Sequence, residues 1–161
     1  MKAVLITSIL FLIMLISCTN SKKRKIKKDS FYTDYGGFGH KRIPLVKPYE
    51  AVKVSEDEWR VELQTTQLLE LSIHNVRALN VINDTIIIYA EGGEVSIKDT
   101  KYNEAWFVIL PTEEIEKGFN KKEDFIAYLA KATVKDIKLY DTDKVYATFY
   151  NNKKIDWKVD F

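Results

Sequence analysis

The side chains that could do chemistry in this chain are few and thinly spread. There is one cysteine, Cys18, and there are two histidines, His40 and His74, among 161 residues. Nucleophilic catalysis needs a serine or cysteine held beside a base. Cys18 ends an apolar run, His40 stands in a glycine-rich stretch, and His74 follows Ser72 and Ile73 in an alternating segment. His74 therefore reads as an exposed or hydrogen-bonded sheet histidine rather than a catalytic base, and no catalytic residue is expected. Asp141-Thr142-Asp143 offers two carboxylates that could hold a calcium ion weakly, but no glycine or following glutamate completes such a loop. A plain β-turn is the expectation there, with no metal site. Carboxylates are plentiful, yet no pair stands out for glycoside hydrolysis. No cofactor is implied.

Cys18 is the best-defined feature. Ala3 to Leu15 is almost unbroken Val, Leu, Ile, Phe and Met, behind the single positive charge of Lys2. This run falls short of the ~20 apolar residues a spanning helix needs and matches the apolar core of a signal peptide. Leu15-Ile16-Ser17-Cys18 resembles a lipobox, and the first 20 or so residues resemble the leader of bacterial lipoproteins. That resemblance implies a diacylglycerol on the Cys18 thiol, removal of residues 1–17 as a signal peptide, and acylation, for instance by palmitate, of the new amino terminus. It implies a protein held by lipid in the bacterial cell envelope, facing the periplasm or the exterior, and says nothing of the body. Lys22, Lys23, Arg24, Lys25, Lys27 and Lys28 follow the apolar run, and by charge bias alone they would favour an inverted signal anchor. The short run and the placing of Cys18 favour the lipoprotein.

Seven of the 25 basic side chains and one of the 23 acidic ones lie before residue 30, leaving 18 against 22 in the remainder. The body is mildly acidic, and nucleic-acid binding is disfavoured because the basic cluster would lie at a membrane without interleaved aromatics. The cluster is either a solvated linker or an attraction to anionic headgroups, at about 1 kcal/mol per charge near the surface. With a single cysteine, no disulfide within the chain can stabilise the body. Residues 18–42 read as an acylated cysteine, a basic tether and a Gly/aromatic segment. In that segment Gly36, Gly37 and Gly39 break any period, while Phe31, Tyr32, Tyr35 and Phe38 supply rings that a plain linker would lack. Pro44 and Pro48 follow, so a phosphate-cradling loop fails on context. The rings either pin the entering chain to the domain surface or, as Tyr32, Tyr35 and Phe38 with His40, touch a partner.

The elements that must position any site come from residues 43–161, which read as one β-rich globular domain. Glu50 to Val54 and Trp59 to Leu63 flank Ser55-Glu56-Asp57-Glu58 as a hairpin, and Leu68 to His74 alternates as a further strand. Val76 to Ile82 and Thr85 to Ala90 bracket the turn Asn83-Asp84. Ile86-Ile87-Ile88 is apolar on both faces, which predicts a central strand. Glu91-Gly92-Gly93 is expected to turn the chain into Val95 to Lys98. Ala105 to Leu110 and Ile115 to Phe119 are expected as strands joined through Pro111 to Glu114. One amphipathic helix is expected over about residues 120–132, capped by Asn120 with Glu123 completing a capping box, and with Phe125, Ile126, Tyr128 and Leu129 as its apolar stripe. A last hairpin, Lys144 to Tyr150 and Ile155 to Phe161, is expected to close on Asn151-Asn152. The expected fold class is α+β, mainly antiparallel sheet with that helix packed on it.

Asp84-Thr85-Ile86 resembles the acceptor used for O-glycosylation of envelope proteins by some Gram-negative bacteria, which makes Thr85 a candidate site. Asn83-Asp84-Thr85 also fits the Asn-glycosylation sequon. The turn is the reading the residues favour. Two function classes remain: a lipid-anchored envelope lipoprotein with a non-enzymatic domain that binds an envelope protein or glycan, or a lipid-anchored hydrolase working from a carboxylate pair. The first is preferred, and no enzyme is expected.

Overall fold

Asn83 and Asp84 both hold positive φ, 49° and 60°, and so do Lys98 and Asp99, at 49° and 62°. Left-handed backbone at both central residues makes the tight two-residue loop whose twist matches paired strands. The first loop joins β5 (Val76–Ile82) to β6 (Thr85–Ile97), and the second joins β6 to β7 (Thr100–Leu110). In the computed structural model, which describes residues 29–34, 40–132, 134, 136–158 and 161, these long strands are the middle of the fold.

Two antiparallel sheets are built among the described residues. In the first, β1 (Arg42–Pro44), β2 (Glu50–Lys53), β3 (Trp59–Glu62) and β4 (Ser72–Ile73) follow one another in chain order. The second has the order β8-β7-β6-β5-β9, with β8 at Ile115–Phe119 and β9 at Tyr140–Asp141. Helix α1 (Lys122–Lys131) packs on β7 and β8, and helix α2 (Thr142–Asn152) packs on β1, β5 and β9. The chain is thus α+β, mainly antiparallel sheet.

The second sheet is apolar on both faces because it separates two cores. Ile86, Ile88, Phe107 and Ile109 face the first sheet and α2, while Ile87, Trp106 and Val108 face α1 with Phe119, Phe125 and Leu129. Ile86, Ile87 and Ile88 are all fully buried. Each such side chain contributes about 1.5–3 kcal/mol relative to leaving it exposed.

Several expectations need correction. Lys144 to Tyr150 is not a strand but the body of α2, so the last hairpin does not form. Asp141 accepts from Lys144 N at 2.9 Å as the helix cap, and Val145 and Phe149, four apart, are the buried pair. A spacing of four satisfies period 2 and period 3.6 alike, and the cap decides for helix. Asp141-Thr142-Asp143 is accordingly the end of a short strand and the start of a helix, not a β-turn. Ile155 to Lys158 form no strand, yet Ile155, Trp157 and Phe161 pack against the first core, and Trp157 Nε1 donates to the Pro44 carbonyl at 3.3 Å.

Gly92-Gly93 does not reverse the chain. β6 runs through them with a shift of register between Glu91 and Val95, and Gly92 takes φ 91° there. A positive-φ glycine within a ladder serves a bulge as readily as a turn. The alternating stretch Leu68 to His74 pairs only at Ser72 and Ile73, because Leu69 stands at φ 59° and breaks the strand. At α1 the cap residue is Lys121, without a side-chain bond, rather than Asn120, and Ile126 is 43 % exposed, so the buried stripe is Phe125 and Leu129.

Candidate functional site

A cleft of about 580 Å³ opens between the outer face of the second sheet and the start of α1. Its wall on the sheet is Tyr89 and Trp106, cross-strand partners on β6 and β7 whose rings lie 5.4 Å apart and 35° from parallel. Tyr89 OH donates to Glu104 Oε2 at 2.9 Å. Burial first, then the Glu104 and Glu91 carboxylates, hold the Tyr89 phenol well above its usual range, so it stays a donor throughout physiological pH. The opposite wall is Asn120, Lys121 and Lys122, all exposed where β8 hands over to α1. An aromatic surface beside two carboxylates (Glu104 and Glu123), one amide and two ammonium groups offers apolar area with convergent donors and acceptors, the composition of a small-ligand site.

Where the chain enters the domain, a second arrangement fastens it down. Asp29 caps the 3-10 turn Ser30–Tyr32, and Arg42 on β1 donates to the carbonyls of Phe31 at 3.1 Å and Asp34 at 2.5 Å. The Arg42 guanidinium also lies 4.9 Å from the Phe31 ring centre and pairs with Glu50. Tyr32 OH accepts from Lys47 N at 3.4 Å and borders a groove of about 600 Å³ shared with Val46, Asn83, Asp84 and Trp157. Of the candidate partner contacts, Tyr32 is half-buried there and His40 is exposed, whereas Tyr35 and Phe38 lie outside the described residues, as do Cys18 and the basic run. Thr85 is 5 % exposed, while Asn83 and Asp84 beside it are exposed.

His74 is bonded through both ring nitrogens. Nδ1 lies 2.8 Å from Glu58 Oε1, and Nε2 lies 3.0 Å from Ser72 Oγ. Ser72 and His74 share the outer face of the first sheet, because Ile73 between them points into the core. That serine-histidine pair was readable from spacing two on a strand, but Glu58 arrives from the turn before β3 and no local pattern announces it. Among the described residues no three His, Cys, Asp or Glu side chains stand together as a metal site. No helix among them is long and apolar enough to cross a membrane.

No protein-family model matches the chain, and neither the curated proteins nor the solved structures contain a match to it.

Proposed function

We propose that this protein is a lipid-anchored lipoprotein of the bacterial cell envelope, held by acylated Cys18, whose β-rich domain binds a glycan in the cleft between the second sheet and α1. The observation that carries the binding reading is the Tyr89–Glu104 bond set beside Trp106 and across from Asn120 and the two lysines. A pyranose ring presents an apolar C–H face that suits an aromatic wall, and its hydroxyls need the acceptors and donors that Glu104 and Asn120 supply. Lys121 and Lys122, balanced by Glu104 and Glu123, add further donors for sugar hydroxyls. The anchor, the basic tether and a domain pinned at its entry by Arg42 suit a module that works close to a surface.

Saturation-transfer NMR of the full chain in detergent micelles, titrated with fragments of envelope polysaccharide, tests this. Tyr89→Ala combined with Glu104→Gln is expected to weaken binding at least about tenfold, as losing one aromatic contact and one hydrogen bond should. Unchanged affinity in that variant, or no transfer to any saccharide, would overturn the reading.

A further inference from the structure

The bonds around His74 have a direction. An ionised Glu58 can only accept, so in neutral His74 the proton sits on Nδ1, and Nε2 is left as an acceptor facing Ser72 Oγ–H. The carboxylate orients the ring, the ring accepts from the hydroxyl, and both distances, 2.8 and 3.0 Å, lie within hydrogen-bond reach. This is the relation of orienting acid, base and nucleophile that recurs on unrelated folds.

The surroundings add what a bare hydrogen-bond chain would lack. Ser72 and His74 border a cleft of about 630 Å³ whose apolar part is Leu63, Leu69 and Leu71. Leu69 and Leu71 are 62 % and 87 % exposed, unusual for leucine, and so offer surface to an apolar group. Arg60 lies on β3 on the same outer face; its Nη2 is 4.0 Å from Glu58 Oε1, while its Nε is buried without a hydrogen-bond partner among the described residues.

We propose that Ser72, His74 and Glu58 form a nucleophilic site that cleaves esters with apolar acyl groups. Ser72 Oγ attacks the ester carbonyl carbon as its proton passes to His74 Nε2, and Arg60 supplies positive charge near the developing oxyanion. The C–O bond to the alcohol breaks as His74 returns that proton to the departing oxygen, leaving an acyl-serine. Water, losing a proton to the same nitrogen, then cleaves the acyl-serine bond, releases the acid and restores the hydroxyl. Leu63, Leu69 and Leu71 hold the acyl group. Glu62 lies directly across from Ser72 in the strand register, and Glu70 borders the same cleft, so the site selects neutral or cationic esters over anionic ones. Ser72 and His74 are the catalytic residues, and Glu58 is a positioning residue. This activity is independent of glycan binding, since the two clefts share no residue.

The test is reaction of the full chain in detergent with an uncharged alkyl fluorophosphonate, which bonds to an activated serine oxygen with loss of fluoride, followed by peptide mass spectrometry. One adduct, on Ser72, is expected, and Ser72→Ala should abolish it. His74→Ala should slow labelling about 10²-fold or more, the usual contribution of a positioned base. Glu58→Gln should slow it as well, and Glu58→Asp, which keeps the carboxylate, should restore part of the labelling rate. A merely structural Glu58 would show the same rate in both variants once each is folded. All three side chains are partly exposed, and circular dichroism checks that the variants fold. No adduct on Ser72, or labelling of equal rate in folded His74→Ala, overturns the proposal.

Discussion

A carboxylate 2 % exposed is costly unless donors meet it, and at Glu116 four do. Tyr49 OH donates at 2.9 Å, Gln64 N at 2.6 Å, Thr65 N at 3.1 Å and Thr65 Oγ1 at 2.5 Å. Burial and the same carboxylate hold the Tyr49 phenol far above its usual range, so the donor is never lost near neutral pH. Glu116 on β8 thereby fixes the segment after β3, whose far end carries Ser72 and His74. Glu116→Ala strands those donors and is expected to cost about 3 kcal/mol or more, read as a lower urea midpoint with unchanged slope. Tyr49→Phe, which removes one bond, should cost about 1 kcal/mol. None of this was legible in the sequence, where Glu116 is one acid among 23 and its partners lie 51 to 67 residues away. Ser72 and His74 were legible as close neighbours in sequence, and the Glu58 carboxylate bonded to His74 was not.

Elements are set partly by short-range chemistry and partly by what fastens them. α2 begins at the Asp141 cap, and its first turn is tied to the first sheet through Asp143, which accepts from Lys53 Nζ at 2.6 Å and Trp59 Nε1 at 3.0 Å. Burial works against the Asp143 charge, but those two hydrogen bonds and the Lys53 and Lys41 charges outweigh it and hold its carboxyl below the usual value of 3.8. A carboxyl depressed in the folded state contributes stability that is present above 3.8 and is lost as pH falls through the depressed value. Asp143→Asn should therefore lower the urea midpoint at pH 7, and the gap from wild type should shrink by pH 3. A gap of equal size at both values would mean that the Trp59 bond, not charge, carries the contribution. The same helix shows where local pattern fails. Val145, Ala147 and Phe149 alternate like a strand, and only the Asp141 cap and the apolar seat for Val145 and Phe149 make the segment a helix. By contrast the turns at Asn83-Asp84 and the strand at Ile86 to Ile88 stand where the sequence put them, since two adjacent left-handed residues and three consecutive isoleucines admit few other structures.

At the scale of the molecule, the second sheet is a partition with a core on each side, and the two clefts open on different layers, one beside α1 and one on the outer face of the first sheet. Arg42 brings the entering chain to β1, between the proposed anchor and the domain. If Cys18 carries lipid, radiolabelled palmitate fed to cells expressing the protein should enter the wild type and not Cys18→Ser, and Cys18→Ser should appear in the soluble fraction. Label retained in Cys18→Ser would refute the anchor. The sequence by itself determined the α+β class, the turns at 55–58 and Asn83-Asp84, the central strand and one of the two helices, because each is written within a few consecutive residues by spacing, turn chemistry or apolar runs. Tertiary structure decided the second helix, the bulge at Gly92, the Glu116 junction and the meeting of Glu58 with His74. Each of these depends on what packs or bonds across the chain, and no repeat within one segment encodes a partner that belongs to another.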